Sequence, residues 1–147
     1  MAARTTFPTG AARLVRDWET GGVYRAMLLQ STWTPDVDVD VFVSDVSPHE
    51  FSDASYGRVT ATNPARTVNV AARSVVYTAD AFAFGVISGG EVAEYLALYA
   101  EVTNDSDSPL VAAYLIDYEA DGVPAATFTA PGGVAFRLNS TCPESSV

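Results

Sequence analysis

The feature that most constrains this chain is a succession of short β-prone runs cut by turn signals. Runs of four to eight such residues bounded by Gly, Pro, Asn, Asp and Ser read as strands, and their even spacing suggests a sandwich or barrel. Val23 to Gln30 sets Tyr24, Ala26 and Leu28 on one face and Arg25, Met27 and Leu29 on the other. Both faces are mostly apolar, which suits a central strand buried on two sides. Arg58 to Thr62 is a short strand stopped by Asn63-Pro64. Thr67 to Ala72 and Ser74 to Thr78 flank Arg73, with Val68, Val70 and Ala72 on one face. Ala81 to Ile87 continues the pattern, and Ser88-Gly89-Gly90 turns it. Tyr95 to Val102 and Leu110 to Tyr118 flank the loop Asn104 to Pro109, and Asp121-Gly122 is a turn. Ala125 to Thr129 and Val134 to Leu138 read as a closing hairpin around Pro131-Gly132-Gly133. The competing reading is a helix over Val92 to Val102.

One helix is expected, over Thr9 to Glu19. Thr9 is the cap, Ala12, Leu14, Val15 and Trp18 recur near helical spacing, and Gly21-Gly22 stop it. The predicted fold class is all-β: a single antiparallel β-sandwich or barrel-like domain with one short N-terminal helix. The domain spans 9–139, between an N-terminal arm at 1–8 and a flexible C-terminal tail at 140–147.

The chain has 147 residues, about one ordinary domain, and 48% of them are hydrophobic, which excludes intrinsic disorder. Eight basic residues, all arginine, face 18 acidic ones, for a net charge of −10. Such an excess argues against a main surface for nucleic acid or anionic lipid. No segment approaches the roughly 20 apolar residues of a membrane-spanning helix. The N-terminus shows no run of signal-peptide length. A soluble chain with no visible route of export is expected.

Few residues could carry chemistry. Asp36, Asp38 and Asp40 alternate with valines, and on an extended segment their carboxylates would point the same way, giving a weak candidate for a hard cation. The EF-hand pattern fails, since Val41 and Ser47 stand where Gly and Glu are needed. A solvated acidic loop is the simpler reading. His49, the only histidine, is the only available imidazole base for a triad, and no Gly-x-Ser-x-Gly elbow accompanies it. Cys142, the only cysteine, has no cationic neighbour to activate it. Asp117 and Glu119 share a strand face, with Glu91, Glu94 and Glu101 near in sequence. They lack the cluster of cleft aromatics that a glycosidase pair would need. No phosphate loop, zinc spacing or dinucleotide fingerprint occurs. The expectation is no catalytic residue, no cofactor and no metal.

Several segments together resemble a family of small tailed-bacteriophage virion proteins. Val23-Tyr24-Arg25-Ala26-Met27-Leu28-Leu29 is similar to that family's I-K-V-A-L strand. Thr34-Pro35-Asp36-Val37-Asp38 is similar to its T-P-D-x-D loop, and Phe42-Val43-Ser44-Asp45-Val46 to its F-x-S-D-V segment. Ala93 to Tyr99 and Ser108 to Tyr118 resemble its A-x-Y-A-V-V-Y and S-P-L-I-A-Y-I-D-F strands, and 126–138 its terminal hairpin. The likeness runs over about residues 10 to 139, and the shared order of short motifs carries it. One departure is Phe51 to Gly57, which stands where the family often has a G-T-G-Y turn.

The resemblance implies a non-enzymatic virion structural protein. The first expectation is a capsid decoration or cement protein that binds neighbouring shell subunits, its negative charge suiting a place away from packaged DNA. One alternative is a minor tail or tail-tip protein of the same virion, and another is a carbohydrate-binding module of a host-contacting fibre. The expected partners are phage structural proteins, namely the major capsid protein or tail proteins. A homo-oligomer or symmetric array is expected, with no nucleic acid and no membrane. The expected location is the virion, and the bacterial host cytoplasm during assembly. A positive mean hydropathy suits a chain whose apolar surface is covered by partners.

Overall fold

The computed structural model describes residues 4–52, 56–71, 74–80, 82–84, 92–119, 127–128 and 134–137. Strand β1 (Arg4–Thr6) leads into helix α1 (Pro8–Asp17), and strand β2 (Val23–Gln30) follows. A second, four-residue helix, α2 (Val43–Val46), runs into a single 3-10 turn at Ser47–His49. The remaining strands are β3 (Val59–Thr60), β4 (Ala65–Asn69), β5 (Ser74–Thr78), β6 (Phe82–Ala83), β7 (Val92–Glu101), β8 (Leu110–Glu119), β9 (Thr127–Phe128) and β10 (Val134–Arg137). They form a five-stranded sheet in the order β1-β8-β7-β2-β3, a three-stranded sheet β10-β5-β4 and a β6-β9 pair, every pairing antiparallel. The fold is all-β with one short N-terminal helix, and the five-stranded sheet is open rather than closed on itself.

Strand β2 has the limits and the two-sided burial expected of it. Tyr24, Ala26 and Leu28 enter one core with Leu96 and Leu98 of β7. Met27 and Leu29 enter a second core with Ala97 and Tyr99 on the opposite face. The first core is closed by Ala11 and Leu14 of α1, by Trp18 at its C-terminal cap, and by Phe51, Tyr77, Phe82 and Phe84. The second is closed by Phe7, Trp33, Val43 and Val46. Each face of the sheet thus has its own apolar cover, worth roughly 1.5–3 kcal/mol per large buried side chain. The helical alternative for 92–102 loses to β7, whose alternate residues feed both cores.

The helix differs from expectation at its start. Pro8, not Thr9, opens it, and no side chain caps it. Proline suits the first helical position, where its missing N–H has no partner to lose and its φ is already helical. The arm expected at 1–8 is instead part of the fold where it is described: Arg4, Thr5 and Thr6 pair with Tyr114, Ala113 and Ala112, and Phe7 is buried. Gly10 lets α1 lie directly on β8, since a Cβ there would stand 2.0 Å from the carbonyl oxygen of Leu110. Past the helix, Gly21 turns the chain at a φ of +130°, a conformation glycine adopts without strain.

A second correction concerns the end of the chain. Of the hairpin expected over 125–129 and 134–138, the described residues 127–128 and 134–137 pair elsewhere: β9 pairs with β6, and β10 pairs with β5 from Val134↔Tyr77 to Arg137↔Ser74. β5 has one side occupied by β4, and its other side offers β10 a ready ladder of backbone groups. The turn at Ser88-Gly89-Gly90, the turn at Asp121-Gly122, Glu91, Cys142 and the tail 140–147 lie outside the described residues.

Candidate functional site

The motif-bearing segments meet at one end of the second core. Trp33 lies over that core, stacked on Phe7 at 6.4 Å and edge-on to Tyr95 at 5.3 Å. Its indole N–H donates to Oδ2 of buried Asp40 at 3.0 Å. The same oxygen accepts the backbone N–H of Asp36 at 3.1 Å, and the Asp40 N–H returns to the Asp36 carbonyl at 2.7 Å. Oδ1 of Asp36 accepts the Asp38 N–H at 3.0 Å. Residues 37–39 therefore form a turn, not the extended run on which three parallel carboxylates would depend. Asp40 faces inward while Asp36 and Asp38 stay exposed. No group of three metal-ligating side chains occurs among the described residues.

The next motif is held in the same way. Asp45 accepts the backbone N–H groups of Val41 and Phe42 at 3.0 and 2.9 Å, satisfying donors at the start of α2. Phe42 bridges to Pro109. The Val43 and Ser44 N–H groups donate to the carbonyls of Ser108 and Asp105, and the Leu110 N–H donates to Val41. The hydroxyl of buried Ser108 donates to the Asn104 carbonyl at 2.7 Å and accepts the Val102 N–H at 3.0 Å. The segments 42–46 and 108–110, distant in sequence, are two halves of one joint.

Beside that joint sits a clasp centred on Arg58. Its guanidinium donates to both oxygens of Glu50, at 2.8 and 2.7 Å, and to both oxygens of Asp105, at 2.8 and 3.0 Å. A further N–H reaches the Tyr99 hydroxyl at 3.2 Å, and the charge lies 5.4 Å from the Tyr99 ring centre. Tyr56 donates to Glu50 at 2.6 Å and accepts the Leu28 N–H at 3.1 Å. Hydrogen bonds to Arg58 hold the Asp105 carboxyl below its usual range, and burial pushes the Tyr56 phenol up. Both carboxylates are bidentate partners of one cation, the strongest form of such pairing. The clasp therefore ties the segment after α2 and the β7–β8 loop to the sheet.

The other chemical candidates stay apart. Nδ1 of His49 lies 2.9 Å from the Thr32 hydroxyl at an exposed position. Its neighbour Glu50 faces Arg58 instead of the imidazole. Glu101 pairs with Arg25 at 3.0 Å. Asp117 and Glu119 lie in β8, and their side chains are outside the described set. Both tryptophans are buried, Trp18 and Trp33. The exposed large apolar side chains among the described residues are all aliphatic: Val23, Val37, Val39, Val68, Val70, Val92, Val102 and Leu115. No helix among these residues is long and apolar enough to cross a membrane.

Sequence reasoning singled out the Asp-Val-Asp-Val-Asp loop but missed the clasp. Arg58 and Asp105 are 47 residues apart, and nothing in the local pattern of either points to the other. Searches against family models, curated proteins and solved structures gave no match to this chain.

Proposed function

We propose that this chain is a non-enzymatic structural protein of a tailed-phage virion, acting as a decoration or cement protein on the outside of the shell. One observation carries the reading: the residues that resemble the virion family are engaged in building the fold, while the exposed apolar surface is aliphatic. Asp45 and Ser108, within those motifs, accept backbone N–H groups, and outside them Asp40 accepts the Trp33 indole N–H and Glu50 and Asp105 pair with Arg58. Val39, Val68 and Val70 are left at the surface, Val70 at 83% exposure. A protein that acts by contact needs a rigid frame and adhesive surface, and symmetry in a shell multiplies modest contacts. The net charge of −10 suits an exterior place, away from DNA.

The fibre-module alternative calls for an exposed aromatic platform. The described surface presents valines and one leucine in that role, which favours protein contact over sugar stacking. Quantitative mass spectrometry of separated heads and tails tests the proposal. Copy numbers in the hundreds on heads are the expected result. A handful of copies confined to tails assigns the protein to the tail and overturns the shell position, and absence from both overturns the virion reading itself.

A further inference from the structure

We draw no further inference here: the strongest candidate, the outer edge of β4 with its exposed Val68, carries nothing, because nothing among the described residues shows what covers it.

Discussion

The central strands of the five-stranded sheet and strand β4 both carry apolar side chains and are treated oppositely. In β2 and β7 both faces are covered: Leu28 and Leu98 lie in one core, Met27 and Tyr99 in the other, all within 1% of full burial. In β4 the valine corresponding to such positions, Val68, is 59% exposed. A valine in a strand does not by itself tell a covered strand from an exposed one. The difference comes from what lies over each: α1 and the 33–46 segment cover the sheet, whereas β4 meets the end of α1 through the Trp18 indole on the Ala65 carbonyl and the Arg66–Glu19 ion pair and leaves Val68 exposed.

The contrast can be broken most forcefully from its buried side. Leu28→Ala removes a fully buried side chain and is expected to cost about 3 kcal/mol, read as a lower urea midpoint. Arg58→Ala comes next. It leaves nearly buried Glu50 without its cation and frees the β7–β8 loop, at a cost of about 2–3 kcal/mol after allowance for partial exposure. The same clasp gives a pH dependence. The Asp105 carboxyl is lowered in the folded state by hydrogen bonds to Arg58, and that of Asp107 by the N–H groups of Asn104 and Thr103. Groups lowered on folding stabilise above the ordinary carboxylate range, and the contribution is lost as pH falls through the lowered values. Thermal midpoints should therefore hold near neutrality and drop in acid, below about pH 4. Arg58→Ala should flatten the part of that drop due to Asp105.

Smaller effects sharpen the comparison. Asp45→Ala removes the acceptor for two N–H groups at α2 and should cost about 1 kcal/mol. Val68→Ala, measured in dilute protein, should change stability by less than about 0.5 kcal/mol. A large effect there would mean that Val68 is covered within the chain itself.

Much of this frame was legible in the sequence. The two-sided apolar pattern of Val23 to Gln30 read out as β2 with its observed limits, because local alternation and two-sided burial are the same fact seen twice. Leu110 to Tyr118 and Ser74 to Thr78 followed for similar reasons. The misses share a cause. Thr9 has the right chemistry for a cap, but Pro8 fixes the start one residue earlier. Asp36, Asp38 and Asp40 alternate as a strand would, yet the Trp33 indole draws Asp40 inward and curls the loop. The hairpin at 125–138 had the expected turn residues, and the pairings that won, β6 with β9 and β5 with β10, join partners 44 or more residues apart. The Arg58 clasp is likewise non-local. Local patterns specify which residues become strands, and side-chain chemistry at long range decides how they are joined.

The most direct test of the proposal that this chain is a virion protein is a reconstruction, at side-chain resolution, of a tailed-phage particle assembled in the presence of the chain. The proposal predicts density for it on the outer shell, with β2, β7 and β8 enclosed within each copy. A particle without the chain, or one in which the five-stranded sheet opens to receive a partner, would contradict it.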